Sequence, residues 1–216
     1  MMDAYEIPLF PLNTVLFPGM SLPLHIFEER YKEMVNWCMM RKRPFGVVLI
    51  HSGVAEGGPM AEPHVIGCTA QITQMQPLSQ GRMFIMAVGH ERFRILSLNN
   101  DQPYLVGRVE QYPLLPEAGT HLEKPAQTLY PLVIDYLQVL ADLGQVDLDL
   151  SQIPQDYKSL PYLAASLIQI PTEQKQRLLA ARRASTLLHD LYTIYREQTA
   201  ILRLMPRSDQ EAFSLN

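Results

Sequence analysis

The stretch IPLFPLNTVLFPGMSLPLHIFEERY, residues 7–31, constrains the fold more than any other part of the chain. Four prolines interrupt it: Pro8, Pro11, Pro18 and Pro23. Each removes a backbone donor and fixes φ, so neither a long helix nor an uninterrupted central strand fits these residues. Between the prolines, Leu, Ile, Val and Phe recur at near-alternating positions, the period of a strand with a buried face. Short strands bounded by prolines satisfy both demands. EIPLF, TVLFPG and MSLPLHIF are read as strands, with Pro18-Gly19 as a turn. At Glu28 the period changes. EERYKEMVNWCMMRKR sets Tyr31, Met34, Val35 and Cys38 on one helical face, with acidic residues at its start and basic ones at its end, as the helix dipole favours. Pro44 stops it.

Strand signals dominate the next sixty residues. PFGVVLIHS reads as a buried strand, GVAEGGPMAEPH (53–64) as a loop, and VIGCTAQITQM as a further strand. RMFIMAVG and RFRILSL are read as two strands of a hairpin joined by Gly89-His90-Glu91, and PYLVGRVEQY as one more strand. Six or seven short strands with one inserted helix point to a small barrel or a strongly curled sheet. Beyond PLLPEAGTHLEKP the period becomes helical. Leu129, Leu132, Val133, Tyr136, Leu137, Leu140 and Leu143 share a stripe, and Pro131 either starts that helix or kinks it. Ser159 and Thr172 are read as N-caps of two shorter helices. A last helix places Leu187, Leu188, Leu191, Ile194, Tyr195, Ile201 and Leu202 on one face. The expected class is α+β, with a β-rich unit over 1–115 and an α-helical unit over 116–216.

Charge and chemistry narrow the function. The formal charge of −4 argues against a general nucleic-acid binder. Its distribution is uneven: residues 173–207 hold seven basic residues against three acidic ones. That basic helix is read as a solvated face, with docking of an acidic partner as the functional alternative. Cys38 and Cys68 stand in no paired motif, which suits small core residues in a reducing compartment. The start, MMDAYEIPLF, lacks the basic region of a signal peptide, and no apolar run reaches the ~18 residues of a membrane span. A cytoplasmic protein is expected. No phosphate-binding loop, nucleophile elbow or metal-ligand spacing occurs. No cofactor, no metal and no enzyme activity are expected.

The opening motif, P-L-F-P-L, F-P-G, P-L and then F-E-x-R-Y, resembles the start of the Lon protease N-terminal, or substrate-binding, domain family. The similarity continues through Ile66-Gly67, Ala70 with Ile72, Gly81-Arg82, and Gly89 with Arg92-Phe93-Arg94-Ile95. It ends in the Q-x-L-L pattern of Gln176, Leu178 and Leu179, although Ala180 and Thr186 depart from the charged residues common there. The resemblance implies a PUA-like small β-barrel followed by a C-terminal α-helical bundle, in a stand-alone member lacking ATPase and protease domains. It also implies a binding module for unfolded polypeptide segments or a protein partner, with an adaptor role linked to proteolysis. The alternative is a small-molecule or nucleic-acid binder using the same barrel.

Two sets of residues follow. Phe17, Met20, Met75 and Met83 are candidates for an adaptable peptide-binding surface, since flexible thioethers mould to varied partners; core filling is the competing reading. Pro18, Gly19, Glu28, Arg30, Tyr31, Gly67, Gly89, Arg92 and Phe93 are read as structural members of the family motif. Within that set, Glu28 is expected to pair with Arg92 or Arg94, and Gly67 and Gly89 to serve turns or bulges.

Overall fold

Strand β1 (Tyr5–Leu12) changes partners halfway along its length. Its first half runs antiparallel to β7 (Val106–Gln111), ending at Pro8 opposite Val106. Its second half runs parallel to β3 (Phe45–Ser52), from Leu9 opposite Gly46 to Leu12 opposite Leu49. Antiparallel ladders join β3 to β5 (Ile66–Pro77), β5 to β6 (Met83–Asn99), and β6 to β7. The path β1-β7-β6-β5-β3 therefore closes on itself as a ring of strands, which leaves few unpaired edges. Strand β2 (Ser21–Ile26) lies on β6 outside the ring, and the two-residue β4 (Glu62–Pro63) on the end of β3. The computed structural model describes residues 4–53, 62–115, 117, 122–143, 153–156 and 158–204. Most of the loop read over 53–64, much of the connection after Leu143, and Arg207 lie outside them.

Two sequence expectations are corrected here. TVLFPG is not a strand; residues 13–20 are an irregular crossing between β1 and β2. The alternation in it is real but serves two cores, since Val15 and Phe17 pack with the C-terminal helices while Leu16 packs between the strands and the helix that follows β2. Nor is there a hairpin at Gly89-His90-Glu91, because β6 runs through as one strand of 17 residues. The chain reverses earlier, at Ser79–Gly81, where Gln80 and Gly81 both take positive φ and Leu78 N–H bonds to the Arg82 carbonyl. What the sequence signalled at Gly89 is a bulge: Cys68 faces Arg92 while Ala70 faces Gly89, so His90 and Glu91 together oppose Thr69. The Thr69 hydroxyl accepts from Glu91 N–H (3.0 Å) and donates to the Glu91 carbonyl (3.3 Å), satisfying the groups the bulge orphans.

Helix α1 (Glu29–Arg41) bridges β2 and β3 and buries Tyr31, Met34, Val35 and Cys38 as its period requires. Glu28 precedes it without capping it. Helix α2 (Glu123–Asp142) runs through Pro131. That proline and Gln127, whose carbonyl it leaves without a donor, both face solvent, where water replaces the missing bond. Neither proposed N-cap is used. Asp156 Oδ1 caps α3 (Leu160–Leu167) by accepting from Lys158 and Ser159 N–H, and Thr172 is already the first residue of α4 (Thr172–Leu179). Helix α5 (Ala184–Leu204) follows its expected stripe except at Ile201, which is exposed. Thr199 is buried instead, its hydroxyl donating to the Tyr195 carbonyl at 2.7 Å. Tyr195 and Tyr136 meet edge to face at 5.2 Å between ring centres, joining α2 to α5. The helical core also takes in Val15, Phe17, Leu49 and Ile66 from the strand-rich half. The molecule is α+β, and the helices are seated on the sheet by shared apolar contacts.

Candidate binding site

The β6 bulge sets the geometry of the seam between sheet and helices. Alternation along Met83–Ala87 points every second residue inward, but the extra residue in the bulge leaves His90 and Glu91 both exposed. Arg92 and Phe93 then fall on opposite faces, and both are buried. Phe93 fills the ring's interior with Leu9, Val48 and Val109. Arg92 points the other way, beneath the helices. Its Nη1 donates to the carbonyls of Leu179 (2.6 Å) and Ala181 (2.7 Å) at the C-terminal end of α4, where the helix dipole favours a cation. Nearby, Gln176 Nε2 donates to the Ile66 carbonyl at 2.9 Å. These two side chains fasten α4 to the strands.

Around Arg92 the seam opens into a cavity of about 610 Å³. Pro18, Tyr112, Leu114, Leu115, Leu122 and Tyr162 form its apolar walls, while His90, Glu91, Gln111, Glu117 and Lys158 contribute polar groups. The guanidinium lies 5.2 Å from the Tyr112 ring centre and 5.7 Å from that of Tyr162. Arg182 covers Tyr112 from elsewhere at 4.9 Å. Burial holds the Arg92 pKa below its ordinary value, opposed by Tyr162, Tyr112 and Cys68. Burial raises the Tyr162 phenol, opposed by Arg92. The Tyr162 hydroxyl influences Arg92 electrostatically, yet Nε and Nη2 of the guanidinium have no well-formed hydrogen bond. Glu117 accepts from the Ser185 hydroxyl (2.6 Å) and N–H (3.0 Å), and these bonds lower its pKa. A larger hollow of about 710 Å³ beside Trp37, Arg41 and Tyr104 lies against β1, away from the seam. Among the described residues no group of acidic, His or Cys side chains is placed to hold a metal.

The four candidate peptide-binding residues do not form one accessible patch. Phe17 is 0% exposed and Met83 8%, both within cores, Met20 is half-buried between two cores, and only Met75 is well exposed, at 40%. Of the motif residues, Pro18 lines the seam cavity and Gly19 takes φ +82 in the turn beside it. Glu28 pairs with Arg30, not with Arg92 or Arg94 (Nη2–Oε2, 2.9 Å); Arg94 pairs with Glu110. Arg30 in turn lies over the Tyr31 ring, which stacks on Phe10 at 4.1 Å. Gly67 and Gly89 are sites of close approach: a Cβ on Gly67 would meet Phe93 and the Val47 carbonyl, and one on Gly89 would meet the Phe17 carbonyl. Tyr112, Leu114, Leu115, Leu122 and Tyr162 were not singled out from sequence. Their only signal is a high apolar content at the end of one expected strand, in the connection after it and at a helix start.

The chain matches the model of the ATP-dependent protease La (LON) substrate-binding domain over residues 6–196. It is 22% identical over 205 residues to the Lon protease of Anaeromyxobacter dehalogenans, covering 94% of this chain and 24% of that one. It is 25% identical over 203 residues to the Lon protease of Syntrophus aciditrophicus, covering 92% and 26%. The chain thus spans about a quarter of the length of the curated relatives it matches. Among solved structures, a Lon N-terminal domain protein from Xanthomonas campestris superposes with a TM-score of 0.65 at 24% identity, covering 94% of this chain and 99% of that one. The N-terminal domain of Mycobacterium avium complex Lon protease gives 0.68 at 16% identity, covering 89% and 99%.

Proposed function

Because the chain belongs to the LON substrate-binding domain family, we propose that it is a binding module for extended polypeptide segments and that these dock in the cavity at the seam. The observation that carries this reading is the cavity itself, apolar-walled and open, with one wall from β6 and the segment after β7 and another from α3. The module acts as an adaptor that presents polypeptide for proteolysis and has no catalytic step of its own. It works in the cytoplasm; no helix among the described residues is long and apolar enough to cross a membrane. The closed ring of strands supports a PUA-like β-barrel subdomain over 1–115, and the joined packing of α2, α3 and α5 supports a helical bundle over 116–216.

A permanently unfolded polypeptide titrated onto the purified chain tests this. Apolar burial predicts affinity that changes little between low and high salt. Leu115 suits a substitution because its side chain is 36% exposed while its N–H is held by the Arg182 carbonyl at 2.9 Å. Leu115→Asp is expected to weaken binding about tenfold without lowering the melting temperature. Unchanged affinity in that variant moves the docking site elsewhere.

A further inference from the structure

Arg92 brings a full charge into the seam with only part of its guanidinium satisfied. Nη1 is engaged by two carbonyls, but the buried Nε and Nη2 make no hydrogen bond of good geometry, and the Tyr162 hydroxyl supplies only a weak interaction. No carboxylate among the described residues forms an ion pair with Arg92. The end of α4 offsets some of the charge through the helix dipole, and the two tyrosine rings offset a little more. The Nε and Nη2 donors still remain poorly matched, and buried donors without good acceptors are costly enough that folded proteins rarely retain them. The orphaned atoms are not scattered. Nε and Nη2 form one edge of the guanidinium, the edge that grips both oxygens of a carboxylate side-on.

We propose that the seam cavity receives a carboxylate on this edge of Arg92, carried by a polypeptide with an apolar residue beside it. The proposal deepens the polypeptide-binding reading and rests on it. Leu114, Leu115 and Leu122 take the apolar residue, and the carboxylate replaces the missing acceptors of Arg92. The Tyr112 and Tyr162 rings flank the guanidinium, so seating a carboxylate on that edge requires the half-buried Tyr162 ring to give way. Glu91 and Glu117 lie in the same cavity, so a singly charged, planar carboxylate fits better than a dianionic phosphate. A polypeptide supplies such a group at its C-terminus or on an Asp or Glu side chain.

Three hexapeptides ending in Leu-Phe, labelled with a carboxylate-free BODIPY dye, separate these sources in fluorescence-polarisation titrations of the whole chain. One ends in a free carboxylate, one in an amide, and one in an amide but carries an internal Glu. The free carboxylate is expected to bind about tenfold or more tightly than the amide, the effect of a hydrogen-bonded charge in a shielded site. Recovery of that affinity by the internal Glu shows a side-chain carboxylate serving equally, and no recovery assigns the site to chain ends; either result supports carboxylate capture. Arg92→Lys keeps a cation that can bond to the Leu179 and Ala181 carbonyls but loses the two-pronged edge, so the preference for the free carboxylate should disappear. Equal binding of the first two peptides to the wild-type chain, within about twofold, overturns the carboxylate inference and leaves polypeptide binding intact. Binding of none of the three overturns both. The wild-type comparison decides the question even where the Arg92 variant fails to fold.

Discussion

Gly89→Ala puts a number on how tightly the irregular crossing is held against β6. The Gly89 N–H donates to the Met20 carbonyl at 2.9 Å, and the Gly19 N–H donates to the Gly89 carbonyl at 2.8 Å. Between those two bonds the Gly89 Cα faces the Phe17 carbonyl so closely that a methyl group would overlap its oxygen. Backbone cannot rotate away as a side-chain tip can. Relief requires the crossing to move off the strand, and both hydrogen bonds weaken as it does. Overpacking costs about 1–3 kcal/mol and each of the two weakened bonds about 0.5–1.5 kcal/mol, so the total is about 2–6 kcal/mol. For a chain of this size that corresponds to a fall in melting temperature of about 4–24 °C. Thermal melts followed by circular dichroism, with urea titrations beside them, measure it. Gly89→Asn provides the discriminating control. Asn tolerates positive φ, so it would rescue a glycine needed for a turn, whereas in a close approach it must be at least as damaging as Ala. A melting temperature for Gly89→Ala within about 2 °C of wild type, or an Asn variant more stable than the Ala variant, would refute the close-approach account.

Phe17→Ala is expected to cost about 3–5 kcal/mol, because the ring is fully buried among the helices; an unchanged melting temperature with lost polypeptide binding would instead make Phe17 a contact residue. Burial raises Cys38 and Cys68 to about 12, so both thiols should resist alkylation in the folded protein at pH 8 and react once urea unfolds it. The same shifts carry a sign for stability. Between about pH 9 and 12 the folded state holds these protons while the unfolded state releases them, so the contribution is complete below pH 9 and is lost as pH rises toward 12. Urea midpoints that stay flat across that window would contradict it, most directly if a Cys38→Ala, Cys68→Ala double variant behaves identically.

Local sequence was enough to determine most of the helices and strands, though not the irregular crossing at residues 13–20 or the unbroken course of β6. Proline spacing excluded a helix from residues 7–27, although β1 runs through Pro8 and Pro11 and β2 through Pro23, and the step from period 2 to period 3.6 at Glu28 placed α1 within a residue of its start. The apolar stripe of α2 survived an internal proline because the lost bond faces water. These signals are legible because each depends on neighbours a few positions away. Family motifs added which residues matter, but not why. Gly89 reads the same in sequence whether it turns the chain or lets another segment approach, and only the Phe17 carbonyl lying against it decides. The bulge at His90 and Glu91 looked like a turn for a similar reason: the Thr69 hydroxyl that makes it tolerable lies 22 positions away in sequence. Arg92 is the clearest case. Charge pairing is the only partner search that sequence permits, and it suggested Glu28; the structure gives Arg92 two backbone carbonyls, 87 and 89 positions away. Every residue has a carbonyl, so nothing in the residue types marks those two. Tertiary packing alone chose them, and by committing Nη1 to the helix it left Nε and Nη2 without a well-formed hydrogen bond.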